Sequence, residues 1–146
     1  MTLVNVYAPN EDNPAFFRNV RDKLCCDFIV LSGDCNLVCD VSKDKEGGVA
    51  TTNLKSKEEV DVIREDFELA DIWRELSPEA TGFTWRRENP EIQSRLDFFL
   101  ISLSLCPEIT KADIVPGSRT DHSMICLLYT SPSPRDLSTS RMPSSA

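Results

Sequence analysis

A single histidine occurs among the 146 residues, and Lys plus Arg number 16 against 24 Asp plus Glu. One histidine, beside six cysteines that never fall in a CxxC pair, argues against a structural zinc site, which takes four Cys or His ligands. The net charge of −8 leaves no basic footprint for generic nucleic-acid binding. It does not exclude a nuclease, because such a site spends carboxylates on a cation. No apolar run reaches membrane-spanning length, and the N-terminus lacks the charged-then-apolar plan of a signal peptide. The expected setting is intracellular, without membrane contact, and the cysteines read as buried free thiols in a reducing compartment. No internal repeat is visible.

What is present suits one domain with a single core. The chain is organised around Asp27–Asn36, where an apolar run, Phe28 to Leu31, reads as a strand buried on both faces. It stops at Gly33, and Asp34 and Asn36 follow at the strand end. An Asx-type turn explains a lone GDxN, but a loop that displays an acid and an amide explains it too. Leu3 to Tyr7 predicts an earlier strand, Asn13-Pro14 a capped start, and Phe16, Phe17, Val20 and Leu24 an amphipathic helix. Strand, helix, strand is the sign of a crossover unit.

Asp40 to Asn53, with Gly47-Gly48, reads as a polar loop. Ser56 to Glu59 has the form of a capping box, and Val60, Ile63, Phe67 and Ala70 extend its helix, which Asp71-Ile72-Trp73 closes before Pro78. Further strands are expected at Phe83–Trp85, with Arg86 and Arg87 outward, at Leu96–Ser102, at Ile109–Val115, and at Arg119–Ile125. Asp97 lies at the start of one such run, and Asp121 and His122 lie at the start of the last. Three Asp at strand ends and one His are the ingredients of metal-assisted phosphoester hydrolysis. A hard cation needs oxygen ligands, and a histidine near neutrality can exchange or share a proton. A single satisfied histidine is the bland alternative.

The motifs VNVYAPN from Val4, LSGDCN from Leu31, SRLDFFLIS from Ser94 and TDHSMI from Thr120 resemble, in order, those of the endonuclease/exonuclease/phosphatase superfamily. With Asp71–Arg74, Phe83–Trp85 and Asp113–Gly117, the chain is most similar to the apurinic-endonuclease-like endonuclease domain of LINE-type non-LTR retrotransposons. The resemblance covers Met1 to Ile125. It implies an α/β fold of two packed, mostly antiparallel β-sheets flanked by helices, incomplete at the N-terminus, and a Mg²⁺- or Mn²⁺-dependent endonuclease that nicks DNA in the nucleus. A reverse transcriptase domain in the same polyprotein is implied as partner.

By the same resemblance Tyr7 contacts the scissile phosphate. Asp34, aided by Asn36, orients the attacking water and contributes to the metal. Asp97 buttresses His122, Asp121 holds the cation, and His122 stabilises the phosphorane oxygens. Cys35 stands where the family has an aromatic or aliphatic residue facing the core. The family's metal-binding Glu precedes anything resembling Val4–Tyr7, so the chain is read as an inactive fragment whose upstream part is missing. CLLYTSPSPRD from Cys126 and SRMPSSA at the end look like translated sequencing adapters, and residues 126–146 are expected to be a non-native, disordered tail. Two readings compete: another phosphoesterase of the superfamily acting on an inositol or lipid phosphate, and a catalytically dead module that binds nucleic acid or a partner.

Overall fold

The computed structural model describes residues 1–49 and 53–130. Strand β1 (Thr2–Tyr7) leads into helix α1 (Pro14–Lys23), and β2 (Ile29–Asp34) returns parallel to β1, so the expected crossover unit forms. Asn13 caps α1 by accepting the Phe16 N–H on its side chain, with proline at the first helical position. Strand β7 (Asp97–Ser102) pairs antiparallel with β2, and β4 (Leu69–Asp71) pairs antiparallel with β7. The resulting four-stranded sheet has the order β1-β2-β7-β4.

One face of this sheet buries Val6, Ile29, Leu31, Phe98 and Leu100 against Phe17 and Leu24 around α1, and against Val60 and Ile63 of α3 (Leu54–Asp66). The other face packs Ile101, with Val30 and Phe99, on Ile72, Ala112 and Leu127. Ala112 and Leu127 belong to the antiparallel pair β8 (Ile109–Val115) and β9 (Met124–Tyr129). The two-sided burial of β2 and β7 explains their near-continuous apolar sequence. A third sheet, β3-β6-β5, is built from β3 (Lys45–Glu46), β6 (Ile92–Ser94) and β5 (Trp85–Arg87). The architecture is therefore mixed α/β, with largely antiparallel sheets flanked by helices, as expected.

Five local expectations differ from the structure. The strand expected at Phe83–Trp85 begins only at Trp85 and takes in Arg86 and Arg87. Asp40–Asp44 is not loop: Asp40 caps a short helix, α2 (Val41–Asp44), whose last residue is buried. Helix α3 starts at Leu54, before the expected capping box, because Ser56 is used in a tertiary contact. Its hydroxyl accepts the Asn13 N–H at 2.8 Å and donates to Asp12 at 2.8 Å. The helix ends at Asp66, and Glu68 takes a left-handed φ of 50°, which releases Leu69–Asp71 to join β7 before the short helix α4 (Ile72–Leu76). Residues 119–123 form a loop, and β9 runs on to Tyr129 with Leu127 in the core, so the boundary expected at Ile125 falls inside a strand. The rest of the expected tail, 131–146, lies outside the described residues, as do residues 50–52 of the expected loop. Among the described residues no helix is long and apolar enough to cross a membrane.

Candidate active site

The register of the four-stranded sheet places the first three residues of the site. Tyr7 pairs with Asp34 across β1 and β2, and Asp34 pairs with Asp97 across β2 and β7. Residues paired in register project from the same face on neighbouring strands, so these three side chains lie side by side at one end of the sheet. Gly33 makes room there. Its φ is +123°, and a Cβ would meet the Val6 carbonyl oxygen at 2.1 Å. Beyond the strand Asn36 adopts a left-handed φ of 49°. Its N–H donates to Asp34 Oδ1 at 2.9 Å, and its side-chain amide donates to the Ala8 carbonyl at 2.7 Å. The Asx turn and the displayed acid thus coexist: Asn36 ties the ends of β1 and β2 and leaves Asp34 Oδ2 facing the cleft.

His122 arrives on the loop before β9. Its Nδ1 is hydrogen-bonded to Asp97 Oδ2 at 2.9 Å, and its Nε2 lies 3.8 Å from Asp34 Oδ2. The ligand atoms of Asp34, Asp97 and His122 lie within 4.8 Å of one another. Gly117 permits this approach, since a Cβ there would sit 2.4 Å from the His122 carbonyl oxygen. Asp121 is exposed and stands beside this group rather than within it; its Oδ2 accepts the Trp85 indole N–H at 3.0 Å. Tyr7 is 81% exposed at the rim.

A cleft of about 380 Å³ gathers Tyr7, Asp34, Asn36 and His122 with Lys45, Asn53 and Trp85. Lys45, Asn53 and Trp85 are additions to the expected set. Lys45 follows the buried Asp44, and nothing in its polar surroundings in the sequence marks it out. Asn53 carries a left-handed φ and donates to the carbonyls of Asn36 and Asn10, closing one wall. A second hollow of about 580 Å³ continues past His122 between Arg86, Arg87 and Thr120.

Burial raises the pKa of Asp34 above the ordinary carboxylate value. The Asn36 N–H opposes that, and the nearby Asp97 and Asp121 carboxylates add to it. Three carboxylates around one imidazole and Lys45 leave the cleft net negative even when His122 is protonated. Asp34 Oδ2 accepts no hydrogen bond among the described residues. A half-buried acid with a free oxygen, beside further carboxylates, is the donor chemistry that a hard divalent cation uses, so the residues fit such an ion. Cys35, as expected, faces the core at 2% exposure, and burial raises its thiol pKa well above the usual range. Burial likewise pushes the Cys39 thiol up to about 12, so neither is a nucleophile here.

Beneath the cleft lies an ion-pair network that sequence reasoning missed. Arg95 donates from Nε to Asp44 Oδ1 at 2.8 Å, and from its terminal nitrogens to Asp44 Oδ2 at 2.9 Å and Asp71 Oδ1 at 3.1 Å. Burial alone would lower its pKa, but the bonds to Asp44 and Asp71 raise it. Trp73 stacks on both Arg95 and Arg74.

No protein-family model matches the chain. It is 27% identical over 133 residues to the transposon TX1 uncharacterized 149 kDa protein of Xenopus laevis, covering 86% of this chain and 10% of that protein. An AP endonuclease from Archaeoglobus fulgidus superimposes with a TM-score of 0.73 at 16% identity, over 87% of this chain and 60% of that one. An AP endonuclease from Leishmania major gives 0.68 at 16% identity, over 81% and 44%. A 3′ phosphatase, NExo, from Neisseria, solved with a product DNA hairpin, gives 0.66 at 19% identity, over 88% and 60%. The chain thus spans a small part of the transposon protein and about half of the solved chains. It has the endonuclease/exonuclease/phosphatase fold, and its sequence is similar to that of a transposon-encoded protein.

Proposed function

We propose that this chain is the distal part of a divalent-metal-dependent endonuclease domain that nicks DNA for a LINE-type retrotransposon. The observation that carries the reading is the Asp97–His122 pair held against Asp34 at one sheet end. Asp97 fixes the ring orientation and the Nδ1 tautomer of His122, which turns Nε2 toward Asp34 and the cleft. A phosphodiester placed there meets His122 on its non-bridging oxygens, and Asp34 Oδ2 is placed to orient or deprotonate the attacking water. Tyr7 and Lys45 supply donors at the rim. Asn36 holds Asp34 in place and shares the phosphate.

Asp34 and Asp121 would hold the cation, Mg²⁺ or Mn²⁺, which neutralises charge developing on the phosphate. An already anionic phosphate would be repelled by this net negative cleft without it. The DNA backbone is the proposed partner, its far side lying along Arg86 and Arg87. A reverse transcriptase domain in the same polyprotein and nuclear action belong to the same proposal, supported by the likeness to the transposon protein.

The 146-residue chain alone should nick slowly. The resemblance puts the family's principal metal-binding Glu before the motif at Val4–Tyr7, and losing ~4 kcal/mol of transition-state stabilisation without that ligand would slow cleavage about a thousandfold. The test is plasmid nicking with Mg²⁺ by this chain and by a version extended upstream. The extended chain should nick rapidly, and His122→Ala should abolish it. Failure of the extended chain to nick, or nicking that survives His122→Ala, refutes the assignment; nicking at equal rates by both refutes only the need for the upstream Glu.

A further inference from the structure

We infer that Thr84 is a positioning residue, a single buried side chain that sets where Asp97 stands relative to His122. Thr84 is 0% exposed, immediately before β5. Its Oγ1 accepts the N–H of Leu96 at 2.9 Å and the N–H of Asp97 at 3.0 Å. A hydroxyl oxygen has two lone pairs, and these two donors fill them. The backbone of Thr84 makes the other half of the joint. Its N–H donates to the Ser94 carbonyl at 3.0 Å, and its carbonyl accepts the Ser123 N–H at 2.6 Å.

The next two residues continue the same seam. Trp85 bridges to His122, its indole donates to the Asp121 carboxylate, and the Arg86 N–H donates to the Asp121 carbonyl at 3.0 Å. Asp97 and His122 come from segments far apart in sequence. Among the described residues no backbone hydrogen bond joins 94–97 directly to 120–123; Thr84–Arg86 links them. The side-chain bond between Asp97 and His122 thus spans a seam that Thr84 joins, by its hydroxyl to Leu96 and Asp97 and by its carbonyl to Ser123, alongside the β2–β7 pairing that also holds Asp97. Valine has the shape of threonine without the oxygen. It would leave the part-buried Leu96 and Asp97 amides without their acceptor, and the start of β7 would move to find one.

This inference rests on the nuclease reading only in its rate consequence, so the experiment has separate arms. His122 is the single histidine, so its ring signals in NMR spectra of the full 146-residue chain need no assignment. Thr84→Val should shift those signals, and Thr84→Ser, which keeps the oxygen, should restore them. In the unmutated chain the Leu96 and Asp97 amides should exchange as slowly as ladder amides. In a chain that nicks, Thr84→Val should lower kcat about a hundredfold with KM unchanged, the effect of a misplaced catalytic group. Unmoved His122 signals in a folded Thr84→Val protein would overturn the inference. Leu96 and Asp97 amides that exchange as fast as exposed loop amides in the unmutated chain would also overturn it, and that arm needs no variant to fold. Failure of every unmutated form to nick would sink the nuclease reading and leave both NMR arms to decide on Thr84.

Discussion

Replacing Arg95 with methionine removes the charge beneath the cleft while keeping much of the side chain's length. The guanidinium is 1% exposed and bonds both oxygens of Asp44 and both of Asp71. In the variant Asp44 retains the Arg74 guanidinium and the Asp40 N–H, whereas Asp71 retains only the Arg74 N–H. Breaking a buried pair by removing one partner costs about 3–5 kcal/mol, and the surviving Arg74 contact puts this case near ~3 kcal/mol. A domain of this size loses roughly 3–5 °C of Tm per kcal/mol, so Arg95→Met should melt about 10 °C earlier. Arg95→Lys should lose about half as much, because an ammonium cannot fork between two carboxylates. The assay is thermal unfolding followed by circular dichroism at neutral pH, repeated in high salt. Buried pairs are poorly screened, so the difference should persist there. A fall of less than ~2 °C, or one that salt abolishes, would show that the network adds nothing to the fold.

Three more outcomes follow from the site and the sheet edge. The raised pKa of Asp34 means that the folded chain binds this proton more tightly than the unfolded chain does. Stability from this group is present at acid pH and is lost as pH rises through the unfolded value of 3.8 toward the folded one. Asp34→Asn should therefore melt above the unmutated chain near neutrality and converge with it in acid; Tm measured against pH checks this, and a lower Tm at neutral pH refutes it. Asp97→Asn in a nicking-competent extended chain should cut activity about a hundredfold while moving Tm little, since its role is to orient His122; plasmid nicking and melting curves together separate the two effects. A chain ending at Ile125 should melt below one ending at Thr130, because it loses the pairings of Asp113, Ala112, Lys111 and Ile109 with Cys126 to Tyr129, and the packing of Leu127. Equal melting would return the domain boundary to Ile125.

The parts legible in the sequence were those governed by local rules. Asn13-Pro14 announces α1, and the unbroken apolar runs at Ile29 and Phe98 announce strands covered on both faces. Asp34, Asp97 and His122 could be picked out because polar residues follow or open apolar strands for a reason. The parts that were not legible are those decided by distant partners. Ser56 looks like a helix cap but serves Asp12 and Asn13. Leu69–Asp71 has a helical spacing with what precedes it, yet β7 offers a ladder and Glu68 can turn left-handed. Ile92–Ser94 is too short and too polar to show as a strand until β5 and β3 flank it. Lys45 enters the cleft only because Asp44, its neighbour, is drawn inward by an arginine about fifty residues away.

That arginine also explains why two pairs of close carboxylates in one small domain have opposite characters. Asp44 and Asp71 are buried, but Arg95 and Arg74 balance them charge for charge, with forked hydrogen bonds that leave no acceptor looking for a donor. A cation has nothing to gain there. Asp34 and Asp97 keep 12% and 14% of their side-chain surface exposed, share one imidazole, and have Asp121 nearby, with no arginine bonded to them among the described residues. Their excess charge is tolerable because water reaches it, and water can be exchanged for a metal ion or a metal-bound phosphate. Neutralising the site internally would stabilise the fold and abolish that exchange. An arginine introduced at Leu96, which is partly exposed and lines the cleft, should therefore raise Tm at low salt and weaken Mn²⁺ binding, followed by paramagnetic broadening of the His122 ring signals. Undiminished broadening in such a variant would mean that the excess charge of the cleft is not what attracts the ion.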